Sequence, residues 1–129
     1  MNTFKKEERL SSRKAISQVV TQGKSFLTYP FKVYWLEIKL NSVYPVQIAF
    51  SIPKKNFKKA VDRNLIRRRI KEAYRQNKHT FYQYFSSKET QLAILLVYIA
   101  KDTLTYKEIE GKIILTLRRL EADYEERNR

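Results

Sequence analysis

The sequence predicts an α+β domain in which helices pack on a small central sheet. Three observations carry that expectation. Residues 29–40 and 46–52 alternate apolar and polar side chains, as half-buried strands do. Residues 91–99, QLAILLVYI, are almost wholly apolar, the pattern of a strand buried on both faces. Residues 60–77 and 105–124 instead repeat apolar side chains at the helical i+3/i+4 spacing.

In chain order, residues 1–8 are polar and expected to be loose, although Phe4 and Leu10 could tack the segment down. Ser11 or Ser12 caps a short helix with Ile16, Val19 and Val20 facing inward, ending near Gly23. In the first strand, Tyr34, Leu36, Ile38 and Leu40 alternate against Glu37 and Lys39, and residues 41–45 turn the chain. The second strand sets Val46, Ile48, Phe50 and Ile52 on one face, with Gln47, Ala49 and Ser51 on the other, and Pro53 ends it. A basic helix starts at Ala60 or Val61 and runs to about Asn77. Residues 79–89 are expected to be a linker with one aromatic turn from Phe81, Tyr82, Tyr84 and Phe85. The last helix opens on a Thr105/Glu108 capping box and carries Ile109, Ile113, Leu117, Leu120 and Tyr124 on one face. Residues 125–129 are expected to be loose. No repeat or Gly/Pro-rich boundary divides the 129 residues, so one domain spanning 1–129 is expected, large enough to bury about two thirds of its unfolded surface.

Charge points to the partner. The chain carries a net +14, and residues 53–78 hold eleven Lys and Arg against Asp62 and Glu72, a net of +9 in one segment. On a helical wheel Ile66, Ile70 and Ala73 fall within roughly 60°, with Tyr74 at their border. Asn64, Arg67, Arg68, Lys71 and Arg75 occupy the far side. One helix therefore has a stripe to dock on a core and a cationic stripe facing out. Like charges at i,i+4 repel, so an anionic partner is the simplest compensation. Arginine's planar fork suits phosphate, and a stripe of Arg and Lys fits backbone contact better than base reading. A DNA-reading helix would instead show base-contacting residues on its N-terminal turns.

Composition also limits the chemistry. There is no cysteine, hence no disulfide framework or thiol nucleophile. The longest apolar run is half of what spans a bilayer, the N-terminal residues lack an apolar signal region, and a cytoplasmic location without membrane contact is expected. The thirteen acids are scattered, with no pair near the basic helix to hold two metals. His79, the sole histidine, falls in a polar stretch and is expected at the surface. No protein catalytic residue and no protein metal site are expected.

The segment AVDRNLIRRRIKEAYR, preceded by SIPKK at a strand end, resembles the signature of the bacterial ribonuclease P protein subunit. The matching positions are Lys54, Lys55, Ala60, Val61, Arg63, Asn64, Arg67 and Arg68. RLSSRKAISQVVTQGK resembles that family's Arg-Leu, helix, Gly opening at Arg9, Leu10 and Gly23. FKVYWL resembles its first long strand, with Tyr34 at an aromatic position, and LTYKE resembles the start of its last helix. The likeness covers residues 4–120. It implies a compact α/β sandwich with a left-handed βαβ crossover, which pattern alone could not have suggested, since about 98% of such units are right-handed.

The resemblance further implies that a catalytic RNA subunit, with Mg²⁺ held mainly by RNA and substrate, removes the 5′ leader of precursor tRNA. The protein would bind that RNA through Lys54, Lys55, Arg63, Asn64, Arg67 and Arg68, joined by Lys71 and Arg75 from the outward stripe. A cleft between the first helix and the sheet, at Arg9, Ile16, Val20 and Tyr34, would receive the single-stranded leader, with Tyr34 stacking on a base. The partners are thus the RNA subunit and precursor tRNA, with no obligate protein partner. Three departures stand out: Leu65 replaces the last Arg of the usual Arg-Asn-Arg, which Arg69 could make good; Ile16 and Val20 stand where relatives often carry aromatics; and NFKK between Lys55 and Ala60 lacks a glycine. A structural RNA-binding protein of ribosomal type would share the charge and layout and is the alternative.

Overall fold

The computed structural model describes residues 3–128. Residues 1, 2 and 129, part of the two ends expected to be loose, lie outside the described residues. A single 3-10 turn (Lys6–Glu8) precedes α1 (Arg13–Gln22), β1 (Lys24–Thr28), β2 (Phe31–Glu37), β3 (Val46–Ser51), α2 (Ala60–Ser87), β4 (Leu92–Tyr98) and α3 (Tyr106–Arg127). The strands form one mixed sheet in the order β1-β2-β4-β3. β3 runs parallel to β4 and the other pairs are antiparallel, so α2 is the crossover joining two parallel neighbours.

Strand alternation sorts the side chains into two layers. Phe31, Val33 and Trp35 of β2, Val46 and Ile48 of β3, and Leu92, Ile94, Leu96 and Tyr98 of β4 meet the apolar stripes of α2 and α3. Ala93, Leu95 and Tyr34 point the other way, to Val19 and Ile16 of α1. β4 is buried on both faces because it lies inside the sheet and is covered from both sides.

Helix ends follow local chemistry. Ser12 is the cap of α1, its hydroxyl accepting from Ala15 N at 3.2 Å. Thr105 caps α3, accepting from Glu108 N at 3.2 Å and donating to the Glu108 carboxylate at 3.0 Å. Gly23 stops α1 for want of space: a Cβ there would lie 2.4 Å from Val19 O and 2.5 Å from Trp35 O. At the end of α2 the amides of Glu89 and Thr90 bond back to Ser86 O and Phe85 O, a Schellman closure. Glu89 takes the left-handed conformation there, with φ of 53°.

Five expectations change. Residues 24–28, unassigned above, form β1; the short strand buries only Phe26 and so has little periodicity to show. The next strand begins at Phe31 rather than Tyr29, because Tyr29–Pro30, joined by a cis peptide bond, makes a two-residue hairpin loop. Most of the expected linker, residues 79–87, is instead the last turns of α2: no Gly or Pro interrupts the helix, and Phe81 and Phe85 continue its buried stripe. Val20 is 43% exposed rather than inward, since α1 is short and only Val19 is fully covered. At the termini, Phe4 packs on the core, Glu8 is buried and α3 continues through Arg127.

Candidate nucleic-acid interface

The first turns of α2 carry the densest positive charge, and the helix is oriented by what it buries. Ile66, Ile70, Ala73 and Tyr74 lie at 1% exposure or less, and this turns Asn64, Arg67, Arg68 and Lys71 outward. These four, with Phe4, Arg9, Glu72 and Arg75, line an open depression of about 490 Å³. A smaller hollow continues from it around the outer edge of β3, floored by Leu10, Ile48 and Phe50 and walled by Arg9, Arg67 and Lys71.

The arrangement is electrostatically unbalanced. Among the described residues no acidic side chain pairs with Arg9, Arg67, Arg68 or Lys71. The Lys71 ammonium is held below its ordinary value, first by partial burial and then by the charges of Arg9 and Arg67. Phosphate oxygens entering the depression would relieve that repulsion, whereas water only screens it. The one carboxylate at the rim, Glu72, is engaged by Arg75 at 2.7 Å and by Gln76 at 2.9 Å.

Not every predicted cation is equally available. Arg63 Nη1 donates to Phe57 O at 2.7 Å and Lys58 O at 2.9 Å, tying down the loop after β3. That loop is also anchored by buried Phe57 and presents Lys54 and Lys55 in an exposed turn. Arg69, the candidate to make good the missing third arginine, is engaged within the fold: its Nη1 donates to Leu104 O at 2.5 Å. Asn64 accepts loosely from Arg67 Nη1 at 3.5 Å.

The four residues expected to share a cleft are not all brought together. Ile16 and Tyr34 meet on the α1 face of the sheet, and Val20 lies exposed on the same helix. Arg9 bridges to Ile48 at the edge of β3 and faces the Lys71 side. Sequence reasoning missed Lys32, whose ammonium sits 5.6 Å over the Tyr34 ring. The i,i+2 spacing in a strand is the signal that could have found it.

Known proteins resemble this chain in sequence and in fold. A family model described as Ribonuclease P matches residues 4–121. The chain is 31% identical over 116 residues to the ribonuclease P protein component of Porphyromonas gingivalis, spanning 89% of this chain and 84% of that protein. It is 32% identical over 127 residues to that of Petrotoga mobilis, spanning 93% and 97%. The fold matches the solved RNase P protein of Staphylococcus aureus with a TM-score of 0.69 at 22% identity, over 88% of this chain and 94% of that one. The Thermotoga maritima RNase P protein gives 0.69 at 21%, over 87% and 96%. With a sheet order, a cationic helix and a sequence match running nearly end to end, this chain belongs to the bacterial ribonuclease P protein family, whose members are the protein subunit of a tRNA 5′-processing endoribonuclease.

Proposed function

We propose that this subunit docks on the catalytic RNA of ribonuclease P through the outward stripe of α2, and that its α1 face receives the 5′ leader of precursor tRNA. The observation that carries the proposal is the cluster of Arg67, Arg68 and Lys71, set in a depression whose lining carboxylate, Glu72, is already engaged by Arg75. Arg75 and Asn64 extend the stripe, and Lys54, Lys55 and the free part of Arg63 flank its start. Binding there neutralises phosphates that the folded RNA packs closely together, so the protein supplies fixed cations in place of dissolved ones.

On the α1 face, Tyr34 offers a half-buried ring for a leader base and Lys32 a cation for the adjoining phosphate. Ile16 and Val20 give that surface apolar rather than aromatic walls. The donor set at the α2 depression suits no resident divalent ion, because its carboxylate, Glu72, is already engaged by Arg75. Mg²⁺ is accordingly assigned mainly to the RNA subunit and substrate, and no step of the cleavage is given to a side chain of this protein. The site of action is cytoplasmic, and no helix among the described residues is long and apolar enough to cross a membrane. Family membership leaves the ribosomal-type alternative without an observation in its favour.

The test is reconstitution. At limiting Mg²⁺, adding the chain to a ribonuclease P RNA will accelerate leader removal from precursor tRNA; equal rates with and without it defeat the proposal. If about five phosphates are neutralised, log K for RNA binding will fall with log[salt] at a slope of roughly −3 to −5. Arg67→Ala/Arg68→Ala will flatten that slope by about one to two units. Tyr34→Ala will weaken binding of precursor tRNA while sparing mature tRNA, and equal losses on both would remove the leader assignment.

A further inference from the structure

The N-terminal segment is held by a device that the RNA interface does not itself use. Glu8 is 1% exposed and Lys78 8%, and the two form an ion pair across 70 residues of sequence. Lys78 also donates to Thr3 O. The Glu8 carboxylate accepts from Lys5 N at 2.7 Å and from the Tyr82 hydroxyl at 2.8 Å, and Tyr74 donates to Tyr82 at 3.0 Å. Every polar group in the knot therefore has a partner inside the protein.

The same segment is fastened on its other side. Glu7 O accepts from Ser42 Oγ at 2.9 Å and from Gln47 Nε2 at 3.1 Å, and Leu10 N donates to Ile48 O at 3.0 Å. Phe4 fills the space between, with its ring centroid 5.8 Å from Phe50 and 5.7 Å from Tyr74. Lys78 lies 5.8 Å from the centre of that ring and Arg9 lies 5.6 Å from it. Arg9 Nη2 donates weakly to Phe4 O at 3.4 Å, the one hydrogen bond its side chain donates among the described residues. So the residue next in sequence to buried Glu8 is an exposed arginine, laid on Phe4 and facing Lys71.

We propose that Glu8 and Lys78 are positioning residues for the RNA interface: their buried pair straps residues 3–10 across α2 and the edge of β3, and thereby sets Arg9 beside Arg67 and Lys71 as the third cation of one phosphate site. The physical case is economy of means. A buried ion pair contributes little net stability but fixes a unique arrangement, because either charge left alone in the interior is costly. Arg9 by itself would gain nothing from sitting near two other cations; the strap holds it there against their repulsion. An RNA phosphate then meets three preset donors rather than recruiting a mobile arm. The inference rests on the reading of α2 as the RNA-binding surface and assigns the N-terminal strap to that surface rather than to the leader cleft.

The experiment measures binding of a bacterial ribonuclease P RNA across a salt series for the unmodified chain, Arg9→Ala, Lys78→Met and Arg9→Ala/Lys78→Met. Each single variant will lose about 0.7–0.9 from the slope, the equivalent of about one phosphate. The double variant will lose no more than either single, because Lys78 acts through Arg9. An unchanged slope in Lys78→Met or in Arg9→Ala, or losses that add in the double variant, overturns the proposal. Should Lys78→Met fail to fold by circular dichroism, Glu8→Gln takes its place, with amide exchange at Leu10 as the local readout. Faster exchange at Leu10 together with a shallower slope is expected; an unchanged slope overturns the proposal whatever the exchange rate does. Arg67→Ala/Arg68→Ala separates the two readings. If it keeps the full slope, the α2 assignment itself fails; if it loses slope while the Arg9 and Lys78 variants do not, only the strap fails.

Discussion

The two halves of α2 treat charge in opposite ways. In residues 60–75 the cations of the outer face look into an open depression, and no acid answers Arg67, Arg68 or Lys71 among the described residues. In residues 76–87 Lys78 is buried against Glu8, Tyr82 is bonded to the same carboxylate, and Tyr84 donates to Glu125. The residue types overlap, and so does the helix. What differs is whether the fold supplies an acceptor. Where it does, the charge is balanced within the fold; where it does not, the charge is left to the solvent side. The same rule divides the arginines one by one, with Arg69 answered by Leu104 O, Arg63 by the loop before the helix, and Arg67, among the described residues, by nothing stronger than Asn64.

The comparison breaks first where the second half is purely apolar. Phe85 is fully buried, with its ring centroid 5.1 Å from Phe81 and 5.3 Å from Tyr124. Phe85→Ala should cost about 3–5 kcal/mol in urea unfolding, while the salt slope of RNA binding by the folded fraction stays as it was. A slope that moved with Phe85 would mean the halves are not separable.

The opposite test lies in the first half. Arg67→Ala/Arg68→Ala should leave unfolding free energy within about 0.5 kcal/mol of the parent while RNA binding weakens, since these side chains make no strong bond within the fold. A large loss of stability would show that the stripe holds the domain together. Anions sharpen this further. If repulsion among Arg9, Arg67 and Lys71 is relieved by a bound anion, sulfate at a hundred times its Kd should stabilise the chain by about 2.7 kcal/mol. Thermal unfolding in chloride at matched ionic strength is the control, and the double arginine variant should lose the effect.

The smallest effect appears only in alkali. Burial, offset in part by the bond to Tyr82, pushes the Tyr74 hydroxyl far above its ordinary value. Tyr82 is driven up by burial and then by Tyr74 and Glu8. Both values are raised in the folded state, so the stability they contribute is complete below about pH 10 and is lost as pH rises beyond it. Absorbance titration should therefore show Tyr74 and Tyr82 ionising late, together with unfolding, alongside Tyr84, Tyr98 and Tyr106, whose hydroxyls burial also raises. Ionisation of Tyr74 and Tyr82 in step with the exposed phenols would mean the knot around Glu8 is open in solution.

Much of this protein was decided locally and could be read from the chain. The period of Ile66, Ile70 and Ala73 against Arg67, Arg68 and Lys71 fixed both what α2 buries and what it offers, because a helix has only one geometry by which to sort its side chains. The apolar run 91–99 announced the interior strand, and Thr105 with Glu108 announced the start of α3. Other features depended on partners far away in sequence. β1 exists because Phe31–Trp35 lie beside it, and five residues with one buried side chain carry no period of their own. α2 continues past Asn77 because Phe81 and Phe85 extend its buried stripe and Lys78, between them and Tyr74, finds Glu8 in the interior. Arg9 joins the α2 cations through the same pair. A charge buried by a partner 70 residues distant leaves no trace in the local pattern; the pairing, and with it the course of residues 3–10 across α2, came into being only when the chain folded.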